Sequence, residues 1–221
     1  MATSNDTRHY ELLSALIDYP EEGFENTVNE IQLYLDGLKP ELGGLLEDFS
    51  TFTSAVSLEE VRQLHTRTFD VQAITTLDLG YLLFGDDYKR AQLLVNLSRE
   101  HALVGNPCGS ELADHLPNVL RLISKMEHGE LKDALIKCLV YPGIKKMIGE
   151  FDSGNREKKN ELYRKHHKTV LDISTDYGIL YQKPLQVLLG LIEEDFGIGQ
   201  VVRDEKNDFL GTLSTEMEIE G

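Results

Sequence analysis

The chain has no tryptophan, and all aromatic residues together make up only 8% of its 221 positions. A core built from it is therefore mostly aliphatic, drawn from a hydrophobic fraction of 41%. Cysteine is scarce too: Cys108 and Cys138 form no CxxC pair, no zinc spacing and no disulfide framework. A reducing, cytoplasmic setting is the simple expectation. No stretch approaches the ~18 consecutive apolar residues of a membrane-spanning helix. The opening MATSNDTRHYELL lacks a basic region followed by an apolar run, so it does not read as a secretory signal. Positive charge is in short supply, with 22 Lys and Arg against 38 Asp and Glu, a formal charge of −16. That argues against nucleic-acid binding, which needs clustered basic side chains.

What is present is unevenly placed. Residues 1–60 carry thirteen acids against Arg8 and Lys39, and residues 193–221 carry nine against Arg203 and Lys206. The middle, 61–192, is nearly balanced, with eighteen bases and sixteen acids. Acidic ends around a neutral middle read either as a solvated surface or as a landing surface for a basic partner segment.

Helical periodicity dominates the chain. Val28, Ile31, Leu35 and Leu38 step by three and four, as do Leu131, Ala134, Leu135, Cys138 and Leu139. The second stripe makes Cys138 a small core residue. Leu185, Leu188, Leu189, Ile192 and Phe196 repeat the spacing near the end. Ser57 and Glu60 have the spacing of a capping box, and Pro117 and Pro184 suit the first turn of a helix. Gly85, Gly105, Gly109 and Gly143 mark breaks. About ten helices result, near 8–18, 24–38, 41–54, 58–69, 73–84, 87–104, 117–127, 129–141, 157–172 and 184–196. No strand or internal repeat stands out. The expectation is an all-α fold: one globular domain over 1–196 and an acidic, mobile tail over 197–221. "GIGQVV" at 197–202 reads as a linker.

Chemistry-bearing motifs are sparse. There is no HExxH, GxSxG, GxxxxGK[ST] or GxGxxG. Glu111 and His115 have i, i+4 spacing, which is half a metal site at most. Cys108 lies in a Gly/Pro loop with no local partner to lower its pKa. His101 shares a helix face with Leu94, Leu97 and Val104 and reads as a core-edge histidine. The run REKKNELYRKHHK (156–168) reads as a solvated helix face, or as a contact surface for acidic groups. No catalytic residue, metal or permanently bound cofactor is expected.

In ELADHLPNVL (111–120), Asp114 and His115 are adjacent. Neighbours on a helix point about 100° apart and cannot act as a mutual acid–base pair. Pro117 pushes Leu116 toward extended geometry, so a turn should close before a new helix opens. Asp114 or His115 then sits at that helix's mouth, where a carboxylate accepts backbone N–H bonds.

Three stretches, LHTRTFD (64–70), LGYLLFGDDYKRAQLLVNL (79–97) and ELADHLPNVLRLI (111–123), resemble the nitrate reductase delta (NarJ) type of assembly chaperone, which is related to the TorD/DmsD redox-enzyme maturation proteins. YELLSALIDYP (10–20) is similar to that family's first helix, and the likeness covers roughly residues 8–128. The resemblance implies an all-helical, cytoplasmic, non-enzymatic protein, monomeric or dimeric. Such a protein binds the apo molybdopterin subunit of one molybdoenzyme, often through its N-terminal twin-arginine or remnant signal segment. It assists insertion of the molybdenum cofactor, which belongs to the client, and holds the client back from premature export or membrane docking. Asp114, His115 and Glu111 match the family's acidic and Asp-His positions, and Phe69 and Asp70 belong to the TFD motif; His65 stands where the family often has tyrosine. A basic, partly apolar peptide needs acidic rim charges and an apolar groove. Phe69, Tyr81, Phe84 and Leu116 are the expected lining, with Asp114 engaging a client cation or N–H and His115 orienting it. The alternative role is a helical scaffold or adaptor for some other basic or amphipathic segment.

Overall fold

The computed structural model describes residues 7–155 and 179–198. Among them are ten α-helices and no strand: α1 (Arg8–Ile17), α2 (Phe24–Leu38), α3 (Pro40–Ala55), α4 (Leu58–Phe69), α5 (Leu79–Phe84), α6 (Tyr88–Leu103), α7 (Leu116–Lys125), α8 (Glu130–Leu135), α9 (Tyr141–Glu150) and α10 (Gln182–Asp195). The fold is all-α, and the core is one continuous, largely aliphatic cluster. The expected helix at 157–172, the basic run and nearly all of the tail lie outside the described residues.

The first helix is the hub. α1 buries Leu13, Leu16 and Ile17 and packs on α7, α2 and α10, while α3 covers α2 and α10 from the other side. A polar clasp ties α1 and the α2–α3 junction to the end of α10. The Asp195 carboxylate, at the end of α10, accepts from the Tyr10 hydroxyl at 2.8 Å and lies 2.7 Å from His9 Nε2. Lys39 reaches the adjacent Glu194. The capping box that opens α4 forms in both directions, with the Glu60 N–H donating to Ser57 Oγ and the Ser57 N–H to the Glu60 carboxylate.

Three expectations are corrected. The helix expected over 73–84 begins only at Leu79. Gln72 adopts a left-handed φ of 53°, and the N–H groups of Ile74 and Thr75 both turn back to the Thr68 carbonyl, so residues 70–78 form a compact loop. The stripe through Leu131 and Cys138 is only partly kept: Leu139 is buried and Leu135 packs on the core, but Leu131 and Cys138 are exposed, and Lys132, Ile136 and Val140 face inward. Two features account for this. The Lys132 stem is buried while its ammonium donates to the Met126 carbonyl at 3.1 Å, and a π-helical step over Ile136–Val140 shifts the register. That step leads straight into α9, a helix not foreseen because Gly143 reads as a break. Pro142 sits in the first turn, where its missing N–H is no loss. Gly143 is a contact point: a Cβ there would lie 2.5 Å from Leu79, so its absence lets α9 approach α5.

Candidate functional site

The Asp-His stretch crosses the 77–79 segment in a short antiparallel bridge between Asp78 and His115. Leu79 N–H donates to the Asp114 carbonyl at 3.0 Å, and Leu116 N–H to the Leu77 carbonyl at 2.8 Å. Each strand of the crossing then runs directly into a helix, Leu79 opening α5 and Leu116 opening α7. Pro117 stands in the first turn of α7, but Leu116, expected to be extended ahead of it, is already helical, and the extended residue is the N-cap His115.

The carboxylates at this crossing serve each other's elements. Asp114 does not cap its own helix. Its Oδ2 accepts the Gly80 N–H at 3.1 Å, a free donor in the first turn of α5. The same oxygen accepts Arg90 Nε at 3.1 Å. The side chain of Asp78, the N-cap of α5, makes no capping bond to its own helix. Its Oδ2 takes Arg90 Nη2 at 2.9 Å, and its Oδ1 lies 3.2 Å from His115 Nδ1. Arg90 also stacks over the Tyr81 ring, 5.2 Å from its centroid. Gly80 is dictated by this packing, because a Cβ would fall 2.6 Å from Asp114 Oδ2. The hydrogen bond from His115, then the charge of His115 and Arg90, hold the Asp78 carboxyl below the usual carboxylate range despite partial burial. Burial works against the Arg90 charge, and its bonds to Asp114 and Asp78 more than offset that.

Asp114 is the most enclosed of these groups. Its side chain is 0% exposed, and Oδ1 has no hydrogen-bond partner. The carboxylate proposed to meet a client cation is thus already engaged by Arg90. His115 is mostly covered, and Glu111 stands in solvent, 3.9 Å from His115 Nδ1.

The remaining expected residues divide into two places. His65 and Phe69 belong to a buried aromatic cluster with Tyr181, at ring separations of 4.9 to 5.4 Å. His65 Nε2 bonds the Ile17 carbonyl at 3.1 Å, and burial pushes its pKa down. Asp70 is exposed just beyond α4. Leu116 is also fully buried, so Phe69 and Leu116 are core and line no groove. Tyr81 and Phe84 are on the surface, at 45% and 41% exposure, along one side of α5.

A groove does lie beside the Asp-His stretch, but elsewhere than expected. A cleft of about 700 Å³ runs between the turn that joins α1 to α2 and the loop at 107–111. Asp18, Tyr19, Glu21, Glu22 and Phe24 form one wall; Pro107, Cys108 and Glu111 form the other, with Arg121 among the lining. Four carboxylates thus share the lining with Arg121 and with the apolar surfaces of Tyr19, Phe24 and Pro107. Tyr19 links the cleft to the aromatic cluster, its ring meeting His65 edge-on at 5.4 Å. Glu111 links it to the crossing through His115. The DYPEE turn (18–22) was visible as acids around a tyrosine and a proline between two helices, a pattern fit for an exposed, functional loop. Arg90 could be found only from the fold, since nothing local marks it as the partner of Asp114.

Among the described residues no group of three or more His, Cys, Asp or Glu is placed to hold a metal ion. No described helix is long and apolar enough to cross a membrane. No family model matches the chain, and no curated protein matches it.

Proposed function

We propose that this protein is an assembly chaperone of the nitrate reductase delta type. It binds the N-terminal segment of an apo molybdopterin subunit, keeps that subunit from premature export or docking, and assists insertion of the client's molybdenum cofactor. The protein performs no chemistry of its own. The single observation that carries the reading is the acidic, aromatic-walled cleft next to the Asp-His stretch that bears the resemblance. Its carboxylates suit the cations of a basic segment, and Tyr19, Phe24 and Pro107 suit its apolar residues. The crossing acts as a brace. By fixing α5 and α7 in place it holds the 107–115 loop, and with it Glu111, in one position.

The direct test is calorimetric titration with the N-terminal peptide of a nitrate-reductase-type catalytic subunit, beside a version whose arginines and lysines are glutamine. Expected is binding that weakens as salt is raised and is lost with the neutral peptide. Molybdenum content of the subunit, made with and without this protein, checks the maturation step. A catalytic subunit equally loaded with metal in both cases contradicts the proposal. Binding to a basic segment without any effect on loading favours the adaptor role.

A further inference from the structure

The cleft already holds a cation of its own. Arg121, on α7, places Nη1 3.0 Å from Asp18 Oδ2 across the cleft and donates through Nη2 to Asn118 Oδ1 at 2.5 Å. Both members of the pair remain partly open to solvent, with side chains 28% and 33% exposed. On the outer side of the same turn, Arg62 repeats the pattern. Its Nε donates to the Pro20 carbonyl at 2.9 Å, its Nη2 lies 3.5 Å from Glu21 Oε2, and its guanidinium sits 5.7 Å from the Tyr19 ring centroid. The 18–22 turn thus contacts two guanidinium groups of the same chain, through carboxylates, a carbonyl and an aromatic face. Glu22 has no ion-pair partner among the described residues.

We infer that Arg121 is an internal competitor: it occupies Asp18 in the empty cleft and is displaced from it by a cationic side chain of the bound segment. The cationic nature of the ligand rests on the reading above; the competition does not depend on what the ligand belongs to. Because the pair is half-open, its own attraction is modest, and a ligand that brings several positive charges together can replace it. A ligand with a single weakly held charge gains too little. The arginine therefore sets a threshold that favours segments of clustered positive charge, and it keeps Asp18 neutralised while the cleft is empty.

The test is a double-mutant cycle on Arg121→Gln and Asp18→Asn, read by fluorescence anisotropy with a labelled synthetic peptide carrying paired cationic residues beside an apolar run. Arg121→Gln should tighten binding about fivefold at low salt, and that gain should vanish in the Asp18→Asn background. Lys137→Gln, which removes the same charge from a position outside the cleft, should change affinity much less. Weaker or unchanged binding by Arg121→Gln, with the wild type binding normally, overturns the competition and leaves the cleft as a binding site. An equal gain from Lys137→Gln also overturns it, assigning the effect to overall charge. No binding by any of the proteins contradicts the inference and the cationic-ligand reading together. Thermal unfolding of each variant confirms that folded proteins are compared.

Discussion

Asp114 and Glu22 are both carboxylates in loops that lead into a helix. Asp114 is sealed from solvent, with one oxygen accepting both a helix N–H and the Arg90 guanidinium. Glu22 stands exposed at the edge of the cleft. Removing a partner from a buried, bonded charge leaves the other charge stranded, whereas an exposed acid is replaced at little cost to the fold. The difference separates holding the structure from meeting a ligand. By that standard, the crossing of Asp78, Arg90, Asp114 and His115 is a brace, and the cleft walled by Asp18, Tyr19, Glu22 and Glu111 is where a ligand is met.

The comparison breaks most readily at the brace. Asp114→Ala removes the acceptor for Gly80 N–H and one of the three carboxylates paired with Arg90, so urea unfolding should show a loss of about 3–5 kcal/mol. A loss below about 1 kcal/mol, the range of exposed ion pairs, would place Asp114 among the surface acids. Next comes Gly80→Ala, whose methyl group collides with the same carboxylate and should cost about 1–3 kcal/mol. Stability unchanged in that variant would show that the Asp114 side chain can move away freely.

Acid should strain the interior. Burial holds the pKa values of His65 and His101 below the ordinary 6.5, so both are neutral in the folded protein. Their contribution is complete above 6.5 and is lost as pH falls through their lower folded values. Asp78, also held low, adds a second loss below the ordinary carboxylate value of 3.8. The urea midpoint should therefore decline on acidification from neutral pH, in two stages. A midpoint independent of pH across the histidine range would contradict the burial of these two rings. The smallest effect on the fold belongs to Glu22→Gln with Glu111→Gln. Stability should stay within about 0.5 kcal/mol of the wild type while affinity for a basic peptide falls. A large loss of stability in that pair would make the cleft acids structural.

Much of the helical framework is legible in spacing: α2 and α4 run between the expected residues, and the Ser57–Glu60 box forms. Legibility fails where distant parts of the chain decide. Residues 73–78 fall in an expected helix, yet Ile74 and Thr75 fold back onto the Thr68 carbonyl and Asp78 pairs with His115. Cys138 sits on a regular apolar stripe, yet a π-helical step and the buried Lys132 leave it exposed while Leu139 stays buried. At the site, Asp114 and His115 stand out in the sequence as an unusual pair ahead of a proline. Neither residue reveals that Asp114 faces α5 and Arg90 rather than solvent. Tyr81 and Phe84 are exposed as a binding surface requires, but the cleft lies by the 18–22 turn, nearly a hundred residues earlier in the chain than the loop it faces.

The central claim is that the cleft acids, and not Asp114, meet the ligand. Side-chain carboxyl carbon shifts measured by NMR, during titration with a cationic peptide, test it most directly. Asp18, Glu22 and Glu111 should move with the peptide while Asp114 stays where it is. A saturable shift at Asp114, with the three cleft acids unmoved, would contradict it.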